Sequence, residues 1–129
     1  MPKLHVSMYR PVTGNYEHWA LYLENGTTHT IYEVVGESPH FRTSVISGKP
    51  TSTARHTRTI FVYDVNSVDL EELKNVIASV SPDNSVSHWN CQDYVMEVLE
   101  KLEEECIVDG EDKAYIAARN QVKKHFGPV

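Results

Sequence analysis

Apolar and polar residues alternate along the first half of this chain and recur at helical spacing along the second. The segment "LHVSMYR" (4–10) is short and alternating, and "HWALYLEN" (18–25) is a stronger strand pattern, rich in aromatic and branched residues. "NGTT" (25–28) is a hairpin turn signal, and "HTIYEVVG" (29–36) supplies the return strand. "HFRTSVIS" (40–47) and "TRTIFVYDV" (57–65) predict a fourth and a fifth strand. The polar, locally basic "GKPTSTARH" (48–56) between them predicts an exposed loop.

The period then changes. "NSVDLEELKNVIASV" (66–80) offers Ser and Asn caps, early acidic residues, and a stripe of Val68, Leu70, Leu73, Val76, Ile77 and Val80. After the proline-broken loop "SPDNSVSHW" (81–89), a second helix is predicted from about Asn90 to Cys106. Cys91, Val95, Val98, Leu99, Leu102 and Cys106 share its apolar stripe. "DGED" (109–112) breaks the chain, and "KAYIAARNQVKKHF" predicts a third helix. Strands first and helices second indicate a single α+β domain over 1–129, with an antiparallel sheet of about five strands followed by three helices.

Composition narrows the function classes. At 129 residues, 40% hydrophobic and 23% charged, the chain has the profile of a soluble globular domain. A net charge of -6 argues against a nucleic-acid partner, because phosphate neutralisation requires a surplus of Lys and Arg on one face. No apolar run reaches the roughly 20 residues of a spanning helix, so no integral membrane segment is expected. "MPKLHVSMYRPV" lacks the apolar stretch of a secretory signal. Cys91 and Cys106, placed far apart on one predicted helix, are expected to be reduced, which suits a cytoplasmic location. None of the seven histidines pairs at helical metal spacing and there is no CxxC, so neither a metal nor another cofactor is expected.

The chemistry gathers around "HWNCQDYVMEVL" (88–99), where a cysteine opens an amphipathic helix. The first turn of a helix favours a thiolate, and its free N–H groups can hold an oxyanion. Asn90 is placed as a cap or polar donor, and Gln92, on a neighbouring face after the cysteine, as an oxyanion or pocket residue. Packing is the plainer role for such a residue, since free cysteine is among the most buried residue types; Cys106, late on the stripe, reads that way. A nucleophile needs a base from elsewhere in the chain. On "EHWALYL", alternation puts His18, Ala20 and Tyr22 on one face, leaving room beside the histidine for a helix end. On the return strand His29 and Glu33 are both candidates to orient that histidine. Trp19 and Trp89 each neighbour one of these residues, as pocket walls or as core. Lys49, Arg55 and Arg58 form a local cationic patch in an acidic protein.

"HWALYLENGTTH" followed much later by "NCQDYV" resembles the circularly permuted NlpC/P60 proteins of the papain-like superfamily, in particular the lecithin:retinol acyltransferase-like group with its small phospholipase/acyltransferases. The matching residues are His18-Trp19-Ala20-Leu21-Tyr22, His29, and Asn90-Cys91-Gln92-Asp93-Tyr94-Val95. The order His, His, Cys is the permuted one. The resemblance implies a papain-like thiol site with Cys91 as nucleophile, His18 as base and His29 as the orienting group.

The expected function is a cysteine-dependent hydrolase or acyl/amide transferase, acting on an ester, thioester or amide. The substrate is a small molecule or an acylated or peptide compound. The oxyanion would be held by the Cys91 N–H and a polar neighbour such as Asn90. The rival expectation is a non-catalytic small-molecule or protein binding domain on the same fold. A third is an interaction protein whose acidic helices, with "EKLEEE" (100–105), meet a basic partner.

Overall fold

A computed structural model describes all of residues 1–129. Five strands, β1 (Lys3–Tyr9), β2 (His18–Asn25), β3 (Thr28–Val35), β4 (Arg42–Ser47) and β5 (His56–Asp64), form one antiparallel sheet in the order β4-β3-β2-β1-β5. Three helices follow: α1 (Leu70–Ser79), α2 (Cys91–Glu104) and α3 (Lys113–Lys123). The architecture is α+β, with the sheet and helix order expected from the periodicity.

The pleat explains the layering. Leu4, Val6 and Met8 of β1, Trp19, Leu21 and Leu23 of β2, and Tyr32 and Val34 of β3 point to one face. There they meet Leu73 and Ile77 of α1, Val95, Leu99 and Leu102 of α2, and Tyr115 and Val122 of α3. The intervening residues face the other way, where Tyr9, Ala20, Tyr22 and Ile31 form a smaller buried cluster. His18 belongs to that second face and stands at the start of β2.

Three boundaries differ from the expectation, each for a local reason. Val68 does not join the α1 stripe. Asn66 accepts from the Val68 N–H and closes a 3-10 turn at Ser67–Asp69, leaving Val68 85% exposed. In the predicted exposed loop, Pro50 is buried and opens a 3-10 turn at Pro50–Ser52. Helix α2 ends at Glu104, so Cys106 is not a packing residue: it is exposed, with φ at 59°. The Ile107 N–H donates to the Leu102 carbonyl and the Cys106 N–H to the Glu103 carbonyl. These are the two bonds of a Schellman ending, with Cys106 in its left-handed position. The buried Ile107 and Val108 take over the core contact that Cys106 was expected to make.

Candidate thiol site

Helix α2 starts where it does because Asn90 and Asp93 form a reciprocal cap. The Asn90 side chain accepts from the Gln92 N–H, and the Asp93 carboxylate accepts from the Asn90 N–H at 2.9 Å. Cys91 is therefore the first helical residue, and its own N–H has no partner within the helix. The sulfur lies 3.8 Å from the Glu17 carbonyl oxygen, immediately before β2. Gln92 fixes that approach. It is fully buried, its Nε2 donates to the same Glu17 carbonyl at 3.0 Å, and its Oε1 accepts from the Gly127 N–H at 2.8 Å. One side chain thus ties the helix start, the strand start and the C-terminal segment together.

His18 stands one residue beyond that carbonyl. Its Nε2 donates to Glu33 Oε1 at 2.6 Å, which leaves Nδ1 as the ring nitrogen free to face Cys91. Burial of the imidazole opposes its charged form. Hydrogen bonds and charge from Cys91 and Glu33 outweigh this and raise its pKa to about 9. At neutral pH the geometry therefore favours an imidazolium between a carboxylate and a sulfur. The Tyr9 ring lies against that of His18, with centroids 5.6 Å apart.

The structure brings Cys91, His18 and Glu33 together and does not bring His29 to them. His29 pairs with Glu24 in the β2–β3 register, six residues along β2 from His18. At strand rise that is about 20 Å away. Its Nδ1 is 2.6 Å from the Tyr22 hydroxyl, and the two rings stack. The orienting position that the resemblance gave to His29 is occupied by Glu33.

Three other expected pocket residues also lie elsewhere. Trp19 is fully buried on the helix-facing side of β2, opposite to His18. Asn90 spends its side-chain oxygen on the cap, and both polar ends of Gln92 are committed inside the protein. That leaves the Cys91 N–H as the oxyanion donor this turn offers. Trp89 packs in the core and donates to Glu97.

Cys91, His18 and Glu33 line one end of an open cleft of about 630 Å³. Ile31, Val35, Phe41 and Ile46 give it apolar walls, and Lys49 and Arg55 also line it. Arg58, the third member of the cationic patch, turns away and pairs with the buried Glu17 at 2.8 Å. Glu17 is a buried carboxylate that no local sequence pattern marks. It neighbours His18, and Thr57 and Arg58 hold it from β5. Its place could have been anticipated only from the β1–β5 pairing, which joins segments some fifty residues apart.

No helix is long and apolar enough to cross a membrane. Residues 4–109 match a protein family described as a family of unknown function (DUF6540). No curated protein and no solved structure matches the chain.

Proposed function

The chain belongs to the DUF6540 family, and we propose that it is a cysteine-dependent hydrolase or acyl/amide transferase of permuted papain-like, NlpC/P60 type. The observation that carries this reading is the single imidazole of His18, bonded to Glu33 on one nitrogen and facing Cys91 with the other. Sequence order, the strand meander and the cysteine at the tip of the following helix all fit the permuted arrangement. Two free cysteines suit a reducing, cytoplasmic setting.

In this mechanism the Cys91 sulfur, as thiolate, attacks the carbonyl carbon of an ester, thioester or amide. A C–S bond forms, and the carbonyl electron pair moves to oxygen, giving an oxyanion to which the Cys91 N–H donates a hydrogen bond. Collapse re-forms the carbonyl and expels the leaving group, which takes the proton from His18 Nδ1. The product at this stage is a Cys91 acyl thioester. His18, now neutral, removes a proton from water or an acceptor, which attacks the thioester and releases Cys91 as thiolate beside the re-formed imidazolium. Glu33 holds the ring through Nε2 in the tautomer that leaves Nδ1 free for both transfers.

Intact-mass measurement during turnover of an activated ester tests this. The expected result is a single acyl adduct on Cys91 that is absent from Cys91→Ser and fails to form in His18→Ala. Adducts distributed over both cysteines, or unaffected by His18→Ala, would contradict it.

A further inference from the structure

The cleft that ends at Cys91 carries a charge pattern that the thiol chemistry leaves unused. Of the carboxylates in the chain, only Glu33 lines it, and His18 Nε2 already holds Glu33 at 2.6 Å. Lys49 and Arg55 also line it, and neither belongs to any ion pair in the protein. This is an unusual place for unpaired cations in a chain of net charge -6, where acids outnumber bases by 18 to 12.

The position of Arg55 is fixed by backbone. Arg55 Nε and Nη2 donate to the Arg10 carbonyl at 3.1 and 2.6 Å, and Arg10 Nη2 donates to the Ala54 carbonyl at 2.9 Å. The Arg55 guanidinium is thus clamped to backbone with no carboxylate partner, and it keeps further N–H groups free. The clamp lies close to the thiol end. Tyr9 packs its ring against His18 on one side and against His56, the neighbour of Arg55, on the other, at 5.6 and 5.8 Å. The cleft also exposes apolar surface: Val12 is 75% and Ile46 47% exposed, and both line it. A thiol site, apolar walls and two unpaired cations in one small-molecule-sized space describe an acyl ligand that is apolar and carries a negative charge.

We propose that the substrate is a small acyl compound whose apolar chain carries an anionic group, a carboxylate or a phosphate, which Lys49 and Arg55 hold while the acyl carbonyl meets Cys91. This rests on the thiol-site reading above and adds the substrate class. Charge in the cleft selects among acyl compounds, because a neutral chain of equal length gains only the apolar walls, whereas an anionic one also gains two unpaired cations.

The test is a matched set of p-nitrophenyl esters with chains of equal length: neutral octanoate, the suberate monoester with a terminal carboxylate, and an amine-terminated analogue. kcat/KM is measured for each in low and in high salt. The wild-type protein is expected to prefer the carboxylate-bearing ester over the neutral one by roughly three- to tenfold, as exposed ion pairs permit. That preference should shrink in high salt. Lys49→Glu should abolish or reverse it, read as the ratio of kcat/KM for the carboxylate-bearing ester to that for the neutral one. Arg55→Lys, which retains the charge but not the fork, should reduce it by an intermediate amount. Cys91-dependent turnover of all three esters with no charge preference, unaltered by Lys49→Glu, would overturn the anionic-substrate inference and leave the thiol reading standing. Turnover of none of the esters, with no acyl adduct on Cys91, would overturn both.

Discussion

His18 and Glu33 meet at 2.6 Å across the β2–β3 pair, and this contact rather than any to His29 orients the imidazole toward Cys91. Glu33→Gln keeps the shape of the side chain and removes its charge. In this variant Cys91-dependent ester turnover is expected to fall by roughly 100-fold, the low end of what a positioned proton-transfer group contributes. His29→Ala, which removes only the partner of Tyr22, is expected to change kcat/KM by less than about twofold. Steady-state kinetics on the two purified variants distinguishes the assignments, and the opposite ranking would restore His29 to the site.

The raised pKa of His18 has a consequence for stability as well as for rate. The folded value of about 9 lies above the ordinary 6.5. The contribution is therefore fully present below about pH 6.5 and is lost as pH rises from there through about 9. Unfolding free energies from denaturant titrations across this window are expected to fall in the wild-type protein, by at most about 3 kcal/mol. They should fall less in His18→Gln. Turnover that needs the imidazolium should lose its alkaline limb near the same pH, and Glu33→Gln should move that limb toward neutrality.

Gln92 is expected to matter through position. Replacing it with Leu leaves the Glu17 carbonyl without its 3.0 Å donor and the Gly127 N–H without its acceptor. Orphaned buried groups of this kind cost about 1–3 kcal/mol each. Thermal or denaturant unfolding should show that loss, and Cys91 alkylation should slow because the helix tip is no longer tied to the strand that carries His18. Full stability in Gln92→Leu would contradict the role given to this residue.

Cys106 offers a test in the opposite direction. As the left-handed residue of the α2 ending, with φ at 59°, it occupies a conformation that glycine adopts without a Cβ penalty. Cys106→Gly is expected to stabilise the protein by about 1 kcal/mol. An unfolding curve measures this directly, and destabilisation would show that the sulfur contributes packing.

The architecture was legible because its signals are local. Alternation over 18–25, the "NGTT" turn and the change to helical spacing after residue 65 each depend on neighbours in sequence. Cys91 was legible for the same reason, as the residue after an asparagine cap. Glu33 was only half legible. A two-residue turn at Gly26–Thr27 sets Asn25 opposite Thr28, and continuing that register brings Glu33 opposite Ala20, diagonal to His18. Following the register through would have removed His29 at the outset. Glu17, Gln92 and the Arg10–Arg55 clamp were not legible, because their partners come from distant segments. Cys106 misled because it lies in phase with a stripe the helix does not reach: α2 ends at Glu104 and turns through a left-handed residue.

The most direct test of the account is the relative alkylation rate of the two cysteines by iodoacetamide at neutral pH, followed by peptide mass spectrometry. Cys91 is buried and Cys106 exposed, so accessibility alone would make Cys106 the faster. The thiol site predicts the reverse, with Cys91 at least about tenfold faster, as activated cysteines are, and with that advantage lost in His18→Ala. Slower labelling of Cys91 than of Cys106, unaltered by His18→Ala, would contradict the account.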